Sequence, residues 1–421
     1  MQSWQTEIKR SIFAFYFNFV DILKLKCYDG RIISVGGGTM GRSGEFVKNL
    51  SGNLTYQSFK PSHLPPKPKI IISGVLDKKI KDAYHLLGKL NGIAKFIPNN
   101  DLFISMYVRK EALLSSQIEG TQATLDDLFD PRIDKNINAD VEEVIQYLKA
   151  LNHANALIKR LPLSIRFIKE IHRVLLDSTR GKEKEPGKLR KTQNWIGPQG
   201  SSLEDATFIP PNLGDMKDSL SNLEFFIHDE DALDDLVKIA LIHYQFETIH
   251  PFLDGNGRVG RLLISLLLKH YNLLDEDVLY LSYYLKRNRI EYYDRLMDVR
   301  LKGHYEAWIG FFMDGIIESS KHAIKTIDAL LNLREKHVKQ LHQLQGKKKQ
   351  TALLLFNYLA SHPIIDIKQA SIGIKKAFNT VSDAVDTFLE LGILKQVDGH
   401  MRYRIFAYES YLTILRDGTD S

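Results

Sequence analysis

Leu233, Leu236, Val237, Ala240, Leu241 and Tyr244 recur at helical spacing, whereas Leu262, Leu263, Ile264, Leu266, Leu267 and Leu268 are apolar almost all round. The first pattern predicts an amphipathic helix and the second a helix buried at the centre of a domain. Pro251 cannot extend the first helix, and Gly255 and Gly257 open backbone angles closed to other residues. The segment therefore reads as helix, tight loop, central helix. From about Asp77 to Phe312 the same periodicity gives helix after helix with short polar breaks, including one from Phe103 through Leu114. The exception is Leu189 to Pro211, where two short extended runs flank a polar Gly/Ser tip and predict a β-hairpin. A long polar helix is expected over Ser319 to Gln343, ending at Gly346-Lys347-Lys348-Lys349, a run that reads as a linker or a phosphate-contacting patch, the solvated linker being the commoner case. Beyond it, helices at Ala352–Ala360, Ile367–Ile372 and Ala377–Leu391 precede extended runs Ile393–Val397 and Met401–Phe406 about an Asp398-Gly399 turn. Three helices and a hairpin make a winged helix. The fold class is all-α, with one small β-hairpin and a C-terminal winged-helix module.

The N-terminus fits this pattern poorly. Ser11 to Leu25 is apolar and aromatic after Lys9 and Arg10, somewhat like an export signal, but Asn18 and Asp21 interrupt it and no small-residue cleavage site follows cleanly. Val35 to Gly44 reads as linker, Met40 as an alternative start, and Pro61 to Pro68 as an extended arm.

The loop between the two central helices concentrates the chemistry. It reads His250-Pro251-Phe252-Leu253-Asp254-Gly255-Asn256-Gly257-Arg258-Val259-Gly260-Arg261. Amides at a helix N-terminus lack intrahelical partners and carry partial positive charge, and glycines let phosphate oxygens approach them. Arg258 and Arg261 add permanently charged forked donors. Asp254 is a hard oxygen ligand of the kind Mg²⁺ uses beside phosphates, and His250 is a base suited to neutral pH. Gly255, Gly257 and Gly260 also spell G-x-G-x-x-G, but a dinucleotide site needs a strand before it, and here a helix precedes. His243 and His250 form no zinc pair, and Gly181 to Lys188 has the wrong spacing for a phosphate loop.

This segment resembles the signature of Fic (Fic/Doc) domain proteins, H-x-F-x-(D/E)-G-N-G-R-x-x-R, at every fixed position. The resemblance implies an enzyme that transfers AMP from ATP to a protein hydroxyl of Ser, Thr or Tyr, with Mg²⁺. It implies His250 as base and Asp254 as metal ligand. Asn256 and the amides around Gly255 and Gly257 would hold the α- and β-phosphates, and Arg261, helped by Arg258, the γ-phosphate. Val259 and Gly260 complete that nucleotide-binding turn, and Phe252 is a core anchor. Upstream, Ser115-Ser116-Gln117-Ile118-Glu119-Gly120 is similar to the family's inhibitory motif, (S/T)-x-x-x-E-(G/N). Ser115 and Glu119 share a helix face, and the resemblance implies that Glu119 pairs with Arg261 and competes with the γ-phosphate. The same residues also read as a helix C-cap with Gly120 in the left-handed position. The 189–211 hairpin resembles the family's flap, which aligns a target segment by strand addition. Thr207 and Phe208 are then expected to line the nucleotide pocket, and Tyr293, of the pair Tyr292-Tyr293, to pack against adenine.

The resulting organisation is an uncertain N-terminal extension (1–60), an N-terminal helical region with the inhibitory helix (61–130), the catalytic core (131–318), a linker helix (319–346) and a winged-helix domain (347–421). Composition adds limits. The 421 residues are 44% hydrophobic, ample for a core of two or three domains. A single cysteine, Cys27, excludes an internal disulfide framework and fits a reducing, cytoplasmic setting. No apolar stretch is long and charge-free enough to span a membrane. The net charge of +6 permits a basic patch without demanding nucleic acid. In the winged helix, Lys375, Lys376, Arg402 and Arg404 could contact DNA phosphate, but Asp383, Asp386 and Glu390 oppose it, so protein contact or homo-oligomerisation is the stronger expectation. The alternatives left open are a DNA-binding regulator with a nucleotide-sensing Fic domain, phosphotransfer of the Doc kind, and removal of AMP with Glu119 assisting.

Overall fold

The computed structural model describes residues 41–421 apart from short breaks at 52–53, 96, 98–99, 131–137, 179, 199, 231–232, 398–403 and 420–421. The expectations for Ser11 to Leu25 and Met40, most of the Val35 to Gly44 linker, the Asp398-Gly399 turn and Arg402 lie outside the described residues.

Helices dominate, as the periodicity predicts. In chain order they are α1 (Gly74–Ala94), α2 (Asn100–Ile118), α3 (Ala139–Leu157), α4 (Ile165–Leu175), α5 (Leu213–His228), α6 (Asp235–Ile249), α7 (Asn256–His270), α8 (Leu281–Arg287), α9 (Arg289–Lys302) and α10 (Tyr305–His342). α6 begins where Asp234 accepts the amides of Leu236 and Val237, capping donors the helix cannot satisfy itself. Every residue from Leu236 to Ile249 is buried. The amphipathic expectation for this helix is therefore corrected. α6 is enclosed on all sides, and its polar members find partners within the core. Lys238, for example, donates to Asp229 O at 2.6 Å and lies over the Tyr271 ring. α7 is buried along most of its length and is the central helix expected. α10 braces α6, with Trp308 fully buried and its indole N–H given to Ala240 O at 2.8 Å.

α10 is one continuous helix of 38 residues, so the boundary expected at 318 falls inside it. Gly346 to Lys349, expected as linker, form the first turn of α11 (Gly346–Leu359). Then follow β3 (Ile364–Asp366), α12 (Ile367–Gly373), α13 (Phe378–Glu390), β4 (Lys395–Gln396), β5 (Ile405–Ala407) and α14 (Glu409–Arg416). The three strands form an antiparallel sheet in the order β3-β5-β4. β3 and α14 are additions to the expected helices and hairpin. Among the described residues no helix is long and apolar enough to cross a membrane.

The N-terminal region departs most from expectation. Residues in the span read as uncertain extension form a hairpin of β1 (Gly44–Ser51) and β2 (Leu54–Pro61), paired from Gly44↔Pro61 to Ser51↔Leu54. β-Forming residues (Phe46, Val47, Tyr56, Phe59) around Ser51-Gly52-Asn53 carried that signal in the sequence. The expected 189–211 hairpin is reduced, among the described residues, to one antiparallel bridge, Ile196↔Phe208. Pro198, Pro210 and Pro211 remove donors a longer ladder needs. β2 compensates, since Phe59 N donates to Ile209 O at 2.9 Å and its ring meets Phe208. Phe208 is 4% exposed, held between Phe59 and the guanidinium of Arg300, which stacks 3.7 Å from its centroid. Arg42 ties the base of the hairpin to α10 through Glu306 at 2.8 and 2.7 Å.

Truncating Phe208→Ala removes this anchor at a cost of about 3 kcal/mol, the usual range for a buried phenylalanine. The expected result is faster hydrogen exchange at the Phe59 and Ile196 amides, with protection of α6 and α7 retained. Unchanged exchange at both amides would show that the flap does not depend on Phe208.

Candidate active site

The 250–261 loop is shaped by how its carbonyls are occupied. α6 stops at His250, which takes a left-handed conformation (φ 48°). His250 O accepts from Arg190 Nε at 3.0 Å and Asn194 Nδ2 at 3.2 Å, and Pro251 O from the Arg190 amide at 2.9 Å. Phe252 O accepts from Asn194 Nδ2 and Asn256 Nδ2, both at 2.9 Å. Asp254 O faces His172 Nε2 at 3.0 Å. His172 Nδ1 already accepts the Gly187 amide, so Nε2 carries the proton and donates. Burial pushes His172 down to about 4, which keeps it in that neutral form, and its ring stacks on Phe252 at 3.7 Å.

The opposite side of the loop is left with donors. Gly255 (φ +73°) is the N-cap of α7 and offers no side-chain oxygen, so the first amides of α7 have no capping group. A side chain at Gly257 would overlap Glu119 Oε1, which means that a carboxylate already lies over this amide surface. That carboxylate is bound to Arg261 Nη2 at 2.5 Å. Arg261 is 2% exposed and gives its remaining bonds to the same helix, Nε to Ser115 Oγ and Nη2 to Ser115 O, both at 2.9 Å. Burial opposes the Glu119 charge, but the pull of Arg261 outweighs it and holds the carboxyl below its ordinary range. Burial also opposes the guanidinium, and Glu119 more than compensates. Behind Ser115, buried Glu111 accepts from Ser282 Oγ at 2.5 Å and Tyr147 OH at 3.4 Å. Burial lifts Glu111 to about 7.

Arg258 differs from Arg261. It is 5% exposed, its Nε has no partner, and its nearest carboxylates, Glu143 and Asp254, stand at 3.6 and 3.7 Å. It is a buried cation with unused donor capacity at the start of α7. Asp254 is half exposed, and its Oδ1 accepts the Gly255 amide at 2.6 Å. His250 Nδ1 faces Glu247 O at 3.4 Å, which assigns the proton to Nδ1 and leaves the Nε2 lone pair available. Burial lowers His250 to about 4, so it is neutral at physiological pH.

Other expected residues sit differently. Asn256 is 2% exposed and spends its side chain on the Phe252 backbone, accepting its N–H and donating to its C=O. Val259 is fully buried in the core. Gly260 is the floor beneath Glu247, whose Oε1 would overlap a side chain there. Thr207 is exposed, and Phe208 is an anchor of the flap rather than an open pocket wall. Of the tyrosine pair, Tyr292 is core, bonded through its hydroxyl to His243 Nε2 at 2.9 Å, while Tyr293 is 40% exposed and feels the charges of Glu119 and Arg261. Sequence reasoning missed Glu247, a buried carboxylate with one unpartnered oxygen, lifted to about 7 by burial against Arg261. It also gave no role to His172, Arg190, Asn194 or Arg300, although Arg190 and Asn194 lie in the flap segment it singled out.

Comparison with known proteins finds similarity over the segments that carry this loop and its flanking helices. Residues 78–156 match the Fic/DOC family N-terminal model, and residues 162–268 match the Fic/DOC family model. The chain is 33% identical over 129 residues to a Protein adenylyltransferase Fic of Drosophila grimshawi, covering 30% of this chain and 24% of that one. It is 29% identical over 201 residues to the Drosophila sechellia protein of the same name, covering 46% and 37%. It thus spans only about a quarter to a third of the length of these relatives. A Fic family protein from Desulfovibrio desulfuricans G20 shares the fold, with TM-score 0.52 and 16% identity over 80% of this chain and 97% of that one. The 250–261 loop lies within the segment that matches the Fic/DOC family model, and the two matched segments together make residues 78–268 the part of the chain that is similar to that family.

Proposed function

We propose that the protein is an autoinhibited adenylyltransferase, moving AMP from ATP to a Ser, Thr or Tyr hydroxyl of a protein, itself included. The observation that carries the reading is the Glu119 carboxylate, which lies over Gly257 and is bonded to Arg261. An anion occupies the anion site, and it comes from the chain's own helix. Phosphate and carboxylate satisfy the same donors, so ATP and Glu119 compete for Arg261.

With Glu119 displaced, Arg261 and Arg258 bind the terminal phosphates and the α7 amides bind the α-phosphate. The target hydroxyl oxygen attacks the α-phosphorus, the α–β bridging P–O bond breaks, and pyrophosphate leaves with the bond electrons. His250 Nε2 takes the hydroxyl proton. Asp254 suits Mg²⁺ shared with phosphates, since it offers one exposed carboxylate, and no group of three or more His, Cys, Asp or Glu among the described residues could hold a metal alone. Bound there, Mg²⁺ would neutralise charge building on the phosphates. The flap bridge and β2 support Trp195 and Thr207 at the surface where a target segment would align.

The C-terminal unit has the helix and strand order of a winged helix, which supports that assignment. Its exposed α13 face carries Asp383 and Asp386, with Glu390 at its end. These repel DNA phosphate, so a protein partner is the better-supported reading of this module.

Transfer of labelled AMP from α-³²P-ATP with Mg²⁺ and a cell lysate tests the activity. Strong labelling is expected with Glu119→Gly and little with the wild type. A loss of about 10²-fold or more is expected when His250→Ala is added. No labelling by any form would contradict the assignment and favour a nucleotide-sensing regulator. A pH profile tests the base. His250 must be neutral to act, and its value is lowered from 6.5 to about 4. Transfer by Glu119→Gly should therefore hold level from about pH 8 down to about pH 5.5 and fall only on approaching the lowered value. A fall centred on the ordinary histidine range would contradict the assigned environment.

A further inference from the structure

One flank of α2 carries Ser115 and Glu119 to Arg261, and the end of the chain grips the helix elsewhere. Arg416, the last residue of α14, donates from Nε and Nη2 to Asp126 Oδ1 and Oδ2 at 2.9 and 2.7 Å. Asp417 O accepts from Lys110 Nζ, a buried ammonium on α2. Lys286 of α8 donates to Gln117 Oε1 at 2.8 Å and to Thr419 O at 3.3 Å, joining the last turn of α2 to the tail. Gly418 (φ +81°) lies so close to the Tyr283 ring that a side chain there would overlap it. The tail therefore meets α2 and its exit on both sides of Glu119 in sequence. Beside these contacts is a cavity of about 420 Å³, lined by Gln117, Thr121, Asp126, Lys286, Arg416 and Thr419 among others. It gives the helix end room to move when the contacts break.

We propose that residues 416–419 form a latch that holds the end of α2 where Glu119 reaches Arg261, so that the C-terminal module controls access of ATP to the site. Helix ends fray unless their last groups are tied down, and Glu119 lies just past the end of α2. The ties at Gln117 and Asp126 restrain that end. A protein partner that draws the tail away from α2 would loosen Glu119, and by linkage ATP binding would loosen the tail. The inference rests on the inhibitory role of Glu119.

The test uses the full chain and a fluorescent, non-hydrolysable ATP analogue, with hydrogen exchange followed across 110–121 and 410–419. Arg416→Ala is expected to tighten analogue binding by roughly fivefold, within the usual span of coupled sites, and to speed exchange in 116–121. Lys286→Gln, a milder change on α8, is expected to act in the same direction. Neither should add to the gain produced by Glu119→Gly. Unchanged affinity despite faster exchange in the tail would overturn the latch, as would an equal gain in the Glu119→Gly background. If Glu119→Gly itself leaves affinity unchanged, its inhibitory role falls, and the latch falls with it. Labelling by Glu119→Gly reports separately on the transferase assignment.

Discussion

A guanidinium that is 2% exposed must have its charge answered inside the protein. For Arg261 the hydrogen-bonded answer comes from α2, through Ser115 Oγ, Ser115 O and Glu119. This pairing ties α2 and the residue just past its end to α7, and in the proposed function it is what closes the phosphate site. It also dictates what can open the site. A ligand that moves Glu119 must itself offer Arg261 an anionic acceptor, or a buried cation is left unpaired at a cost of several kcal/mol. A terminal phosphate meets that demand, whereas a neutral nucleoside does not.

The second constraint is directional. The carbonyls of His250, Pro251, Phe252 and Asp254 are all engaged by donors from Arg190, Asn194, Asn256 and His172. With the acceptors bound to the scaffold, the loop presents amides to the site, and α7 begins without a capping side chain. The same residues tie the 189–211 segment to the loop. Arg190 and Asn194 hold the 250–261 loop from one end of the 189–211 segment, and Arg300 stacks on Phe208 at the other while donating to Glu247 O and Thr248 Oγ1. The 189–211 segment and the 250–261 loop thus share one framework, on which the proposed target alignment and phosphate binding would both depend.

What could be read from the sequence follows the range of the interactions involved. The helix–loop–helix at 235–270 was legible because its rhythm and glycines are local. The pairing of Glu119 with Arg261 spans 142 residues and came from resemblance alone, and the structure brings these two side chains together while adding Ser115, which the sequence reading had not paired with Arg261. Asn256 was read from its residue type and Phe208 from the resemblance of its segment to a flap, and neither reading anticipated that Asn256 bonds the Phe252 backbone or that Phe208 is buried between Phe59 and Arg300. The β1–β2 hairpin was missed for a different reason. Its strands earn their stability from Ile209 and Phe208, far along the chain, so the local pattern looked like a loose extension. His172, Arg300 and the tail contacts of Arg416 are long-range partnerships that no spacing announces.

The central claim is that Glu119 and the γ-phosphate compete for one guanidinium. Calorimetric titration of ATP into His250→Ala, with and without Glu119→Gln, tests it without turnover. Removing the Glu119 charge should tighten ATP binding by about tenfold to a hundredfold, the worth of a charged hydrogen bond, and should leave AMP binding almost unchanged. Equal ATP affinities, or the same gain for AMP as for ATP, would contradict the account.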